Sequence, residues 1–271
     1  MRRRRISVKA AVSTACFYPK PTEDALYDLC LAGISTVEIF INAPSECKPV
    51  FVNDLAAMLR RFGVTCQSVH PWTAPNEGFM LFSNYARRCK DFLEEAKQVF
   101  AAMQTLSAKY YVLHGAFAGS GIPPEIYCER FRMLAETAKP FGVTVTQENV
   151  VKFESQSLRF LREFCRILGD DAKLTFDTKQ AVRSGMDISE AVRTVGSHIV
   201  HVHLSDHGEL GDCLRIGKGR FAVAPFLKSL REQGFDGAVT LELYRSAFSD
   251  ASELAEDYHR IGRLIARAEQ G

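Results

Sequence analysis

The 271-residue chain has no C-x-x-C pair; its eight cysteines, at positions 16, 30, 47, 66, 89, 128, 165 and 213, are scattered without regular spacing. That argues against a disulfide framework and a thiolate zinc site, and reads as reduced, buried thiols in a cytoplasm. No apolar run approaches the ~20 residues that span a bilayer, so no membrane role is expected. Charge of one sign is missing too. Lys+Arg 34 against Asp+Glu 32 leaves +2, which argues against a polyanionic partner such as nucleic acid. The local exception is the run Arg2–Arg5, but the segment after it is broken by Lys9, Pro19 and Pro21. Residues 1–6 are therefore expected to be a flexible basic leader and not a secretory signal. Linkers and low-complexity tracts are also lacking. No glycine fingerprint for phosphate follows the first β-type run, which removes the main sign of a doubly wound nucleotide-binding sheet.

What the chain does have is alternation of β-type and helical patterns from end to end. The β-type runs are Val8–Phe17, Thr36–Ile41, Cys66–Trp72, Tyr110–Ala116, Thr144–Val150, Lys173–Thr178, Ile199–Ser205 and Ala238–Tyr244. Between them, Asp54–Phe62, Tyr85–Leu106, Glu125–Lys139, Ser157–Leu168, Ile188–Val195, Pro225–Gln233 and Ala251–Ala268 repeat apolar residues at helical spacing. Eight such units in a chain close to the typical ~250 residues predict an α/β fold, a (β/α)8 TIM barrel, as a single domain over 1–271.

In the run VTVTQENV, Val143 to Val150, apolar alternation gives way to a carboxylate, Glu148. The same happens at other strand ends. His70 ends the third run, His114 the fourth, Asp177 the sixth, His203 the seventh and Glu242 the eighth. A barrel builds its active site at the C-terminal ends of its strands, so these six side chains are expected at one height. Taken singly, a strand-end Asp caps a helix and a strand-end His makes a hydrogen bond. Taken together, three carboxylates in an apolar tube would be costly unless a cation offsets them. Glu148, Asp177, His203 and Glu242 make an oxygen-rich set with one imidazole, which suits one divalent metal ion, Mn²⁺, Mg²⁺ or Co²⁺, and also admits Zn²⁺.

ENV, FDT, HVHLSD and LELY, in this order on successive strands, resemble the xylose isomerase-like TIM barrels, the superfamily of sugar isomerases and epimerases, inosose dehydratases and endonuclease IV-type AP endonucleases. The resemblance covers nearly the whole chain. It implies that Glu148, Asp177, His203 and Glu242 are the metal ligands, with Glu148 and Glu242 also the catalytic acid/base pair. The expected activity is isomerisation or epimerisation of a sugar or sugar phosphate, in which loss of the α-proton gives an enediolate whose charge a divalent cation offsets. An inosose-dehydratase-like lyase and an endonuclease IV-like phosphodiesterase are the alternatives. His70 and His114 match positions that hold a further metal in the endonuclease branch, which leaves a two-metal site bridged by Glu148 open. Two departures count against that branch. FDTKQA places Gln180 where the family often has a His, and GELGDCLRIGKG carries Asp212 with no following His.

His70, His114, Gln180 and Arg215 are expected to contact substrate. Arg215 opens the loop RIGKGR, whose glycines would let backbone amides approach a phosphate or a hydroxyl. Glu38 and His201 are expected behind the ligands, Glu38 either orienting one or anchoring the barrel rim. Trp72 and Phe117 are candidates for the floor of a sugar pocket. A small-molecule carbohydrate is the expected partner. A homo-oligomer is left open, with no interface signature in the sequence.

Overall fold

The structure, a computed structural model, describes residues 8–270; the Arg2–Arg5 run lies outside the described residues. The strands are β1 (Lys9–Ser13), β2 (Thr36–Ile41), β3 (Thr65–Pro71), β4 (Tyr110–Leu113), β5 (Thr144–Glu148), β6 (Leu174–Asp177), β7 (Ile199–Leu204), a two-stranded hairpin β8 (Asp206–Gly208) and β9 (Gly211–Leu214), and β10 (Ala238–Leu241). Among the described residues, β1 to β7 and β10 close into a parallel barrel, in the order β1-β10-β7-β6-β5-β4-β3-β2. Ala10 opposite Val239 seals the first strand to the last. No helix of the described residues is long and apolar enough to cross a membrane.

Around it lie α1 (Thr22–Leu31), α2 (Pro49–Phe62), α3 (Ala86–Leu106), α4 (Pro124–Ala138), α5 (Leu158–Leu168), α6 (Thr178–Arg183), α7 (Ile188–Val195), α8 (Val223–Glu232) and α9 (Ala251–Gln270). Helix α5 shows the local logic. Ser157 caps it by accepting from Phe160 N, and Leu161, Phe164, Cys165 and Leu168 form its buried stripe. All eight cysteines are free and buried, as the scattered spacing predicts.

Three features depart from the expected elements. Helices α1 and α6 and the β8–β9 hairpin have no counterpart among the predicted segments. Every strand of the barrel but β2 also stops short of its β-type run. β1 ends at Ser13, whose Oγ accepts from Ala15 N and turns Thr14–Phe17 into a 3-10 turn. After β4, Gly115 takes φ 96°, and a Cβ there would sit 1.9 Å from the Tyr127 hydroxyl. His114 and Glu242 therefore lie just past their strands.

The barrel interior is polar for this fold. Thr146 and Thr175 share a 2.6 Å hydrogen bond, and Ser68, His201 and Thr240 meet around His201 Nε2. The twofold alternation of β5 turns Thr146 and Glu148 inward and Gln147 outward. There Gln147 accepts from the Tyr127 hydroxyl of α4 at 2.6 Å.

Candidate metal centre

Each side chain of the centre is delivered by a strand end and fixed by a neighbour. Asn149, one residue past β5, lashes β6 in place: its Nδ2 donates to Asp177 O at 2.9 Å and its Oδ1 accepts from Asp177 N at 2.7 Å. Asp177 also caps α6, its Oδ1 accepting from Gln180 N at 2.8 Å, which leaves Oδ2 facing the barrel axis. The Thr178 hydroxyl accepts from Ser205 N at 3.1 Å and ties the ends of β6 and β7 together. On the other side, buried Glu77 accepts from Gly115 N at 2.6 Å and from the Thr73 hydroxyl at 2.7 Å, steadying the turn that carries His114.

One ligand atom from each of Glu148, Asp177, His203 and Glu242 lies within 4.8 Å of all the others. His203 Nδ1 stands 2.8 Å from Glu148 Oε1, 3.7 Å from Glu242 Oε2 and 3.9 Å from Asp177 Oδ2. On its far side, His203 Nε2 lies 3.0 Å from Glu38 Oε2, which also meets His201 Nε2 at 3.0 Å and accepts from the Ser68 hydroxyl at 2.7 Å. His114 Nε2 lies 3.2 Å from Glu148 Oε2 and 3.0 Å from His70 Nε2, and His70 Nδ1 is 3.6 Å from Glu242 Oε1. His70, His114 and Glu148 thus form a second group of the same tightness, sharing Glu148 with the first.

The electrostatics follow from burial and crowding. Burial works against an imidazolium at His203, yet the Glu38, Glu242 and Glu148 carboxylates hold it well above its ordinary value. Burial likewise opposes ionisation of Glu148, Glu242 and Glu38, but His203 in each case, with His114 at Glu148 and Lys179 ahead of His203 at Glu242, holds them below the usual carboxylate range. Asp177 goes the other way. Burial lifts it to about 6 against the pull of Lys179, and the Glu148 and Glu242 charges add to the rise.

The donors fit a divalent cation. Four ligand atoms converge, three of them carboxylate oxygens. Sequence reasoning missed the residue that complicates this picture. Lys179, only 5% exposed, reaches 3.0 Å from Glu242 Oε2 and 3.6 Å from Asp177 Oδ2. Burial opposes its charge, but Glu242 and Asp177 keep the ammonium well above its ordinary value.

The other expected residues divide. Glu38 and His201 do lie behind His203, fully buried. His70 and His114 border the cluster. Gln180 is beside it, but its Oε1 already accepts from Val151 N at 3.2 Å. Arg215 stands apart from the cluster. Its guanidinium donates to Glu253, to Glu256 at 2.8 Å and to Asp257 at 3.0 Å, all on α9, and it joins none of the clustered groups. The glycine amides of its loop are taken as well, Gly217 N and Gly219 N donating to Asp206 at 2.8 and 3.0 Å. Asp212 is paired with Arg183. Phe117 is 48% exposed and stacks on Phe153, whose ring packs against His114, while Trp72 packs against the core. Sequence reasoning also passed over Asn149 as a lash, Phe153, and Tyr244, whose hydroxyl accepts from Arg183 at 2.6 Å.

Comparison with known proteins gives the family and agrees with the fold. The xylose isomerase-like TIM barrel family matches residues 30–263. An uncharacterized protein of Mycobacterium leprae is 27% identical over 271 residues, 91% of this chain and 92% of its own. An uncharacterized protein of Methanocaldococcus jannaschii is 23% identical over 280 residues, 98% and 94% of the two chains. Among solved structures, a D-tagatose 3-epimerase-like protein aligns with TM-score 0.78 at 18% identity, over 97% of this chain and 99% of the other. L-ribulose 3-epimerase aligns with TM-score 0.76 at 18% identity, over 97% and 96%. The IolI protein with a bound zinc atom aligns with TM-score 0.78 at 19% identity, over 96% and 99%. At these identities the solved structures speak for the fold alone.

Proposed function

Because this chain belongs to the xylose isomerase-like TIM barrel family, we propose that it is a divalent-metal-dependent isomerase or epimerase of a sugar or sugar phosphate. The observation that carries the reading is the convergence of Glu148, Asp177, His203 and Glu242 at the C-terminal ends of the strands. The names of the structural neighbours, two of them epimerases of or like those of ketoses and one a zinc-bound protein, favour the same class.

The four residues would hold one ion, with Mn²⁺, Mg²⁺, Co²⁺ and Zn²⁺ all compatible with the donors. When bound, a divalent ion at this site supplies positive charge to the carbonyl and neighbouring hydroxyl oxygens of the substrate. The rest of the chemistry belongs to the chain. Glu148 and Glu242 enter from non-adjacent strands, so one can take a proton from one face of a substrate carbon and the other return one to the opposite face. Epimerisation needs both groups, whereas isomerisation can proceed with a single carboxylate carrying the proton. His70 beside Glu242 and His114 beside Glu148 would donate to substrate hydroxyls. The Phe153 and Phe117 rings, stacked on each other beyond His114, would give the substrate an apolar wall on that side.

The test is proton exchange in D₂O across a panel of sugars and sugar phosphates. Glu148→Gln and Glu242→Gln should each abolish solvent deuterium incorporation into substrate while circular dichroism stays that of the wild type. Retained incorporation in either variant rejects that glutamate's role, and no turnover of any panel member by the wild type rejects the class.

A further inference from the structure

Lys179 lies inside the centre, and the proposed chemistry does not use it. It sits on the first turn of α6, and its stem is buried in the wall of the site. The ammonium touches the carboxylates of two of the four candidate ligands, Glu242 at 3.0 Å and Asp177 at 3.6 Å. On its other side the Tyr244 ring lies 5.0 Å away. That ring is held by Arg183, whose charge is already matched by Asp212. Two cations sharing the same pair of buried carboxylates repel each other strongly, because little water screens them.

We infer that Lys179 is a resident cation that competes with the metal for Asp177 and Glu242, so that an ion enters only as the ammonium withdraws. The Tyr244 face gives the withdrawn ammonium somewhere to rest, since a lysine over an aromatic ring keeps a favourable contact. The flexible four-carbon stem allows the shift, which the planar fork of an arginine would not. In consequence the site binds its metal weakly and exchanges it readily, a property set by one residue of α6 and not by the ligands themselves. A plainer alternative is that Lys179 only neutralises surplus carboxylates. The two differ in what removing it does to metal affinity. The inference rests on the metal-centre reading above, and the experiment separates the two.

Protein stripped with a chelator is titrated with Mn²⁺ alone by calorimetry, for wild type, K179M, K179Q and K179R. K179M and K179Q should bind Mn²⁺ about tenfold more tightly or better, while K179R, which keeps the charge, stays at or below wild-type affinity. Thermal denaturation gives a second readout: the same saturating Mn²⁺ concentration should raise Tm more in K179M than in wild type, because the stabilisation grows with the logarithm of the ratio of metal concentration to Kd. Equal or weaker binding by K179M and K179Q overturns the role of the lysine alone. No uptake by any of the four chains overturns it together with the metal centre.

Discussion

Glu38 Oε2 receives Ser68, His201 and His203, while its Oε1 is buried without a partner. A carboxylate on the Nε2 side of His203 fixes that ring nitrogen as the donor and turns Nδ1 toward Glu148, Asp177 and Glu242. Glu38→Gln removes the charge and keeps the shape, so Mn²⁺ affinity should fall by about 10–100-fold in a calorimetric titration. Unchanged affinity would leave Glu38 as a barrel anchor and nothing more. The candidate ligands were legible in the sequence because a carboxylate or imidazole recurs at the ends of successive β-type runs, whereas Glu38 and His201 interrupt β2 and β7 midway. Period-two alternation also separates inward Glu148 from outward Gln147. Lys179 was not legible. A lysine after a strand-end Asp reads as solvated, and its burial is created by Glu242 and Tyr244, more than sixty residues away in the chain.

Among the elements, the loop before α8 shows where composition misleads. Arg215-Ile216-Gly217-Lys218-Gly219-Arg220 has the makeup of a phosphate cradle, yet Asp206 takes its amides and α9 takes its arginine. The partners Glu253 and Asp257 stand four residues apart on α9, hence on one helix face, a pairing visible only once the helix is docked. Arg215→Met would leave Asp257, only 2% exposed at its side chain, without its counter-charge. The expected loss is about 2–3 kcal/mol, below the ~3–5 of a fully buried pair because Glu253 and Glu256 reach solvent. A urea midpoint shift with unchanged KM would bear this out; a raised KM at unchanged stability would return Arg215 to the substrate. The strand ends teach a similar lesson. The residues past β4 and β10 keep β-type character, but the strands end before His114 and Glu242, a boundary the local pattern does not encode.

For the whole molecule, eight repeats of one β-then-α unit made the barrel readable, because no single boundary error changes the count or the closure. The same closure explains why the site forms where it does: parallel strands bring every C-terminal end to one rim, so side chains as far apart in sequence as Glu38 and Glu242 meet there. The chemistry proposed for the rim depends on those ends surrounding a single positive ion. The direct measurement is anomalous diffraction from crystals soaked in saturating Mn²⁺. One peak ligated by Glu148, Asp177, His203 and Glu242 is the predicted result, with Lys179 Nζ moved off Asp177 and Glu242. No peak among these four side chains, or three ions clustered at the barrel mouth, would contradict the account.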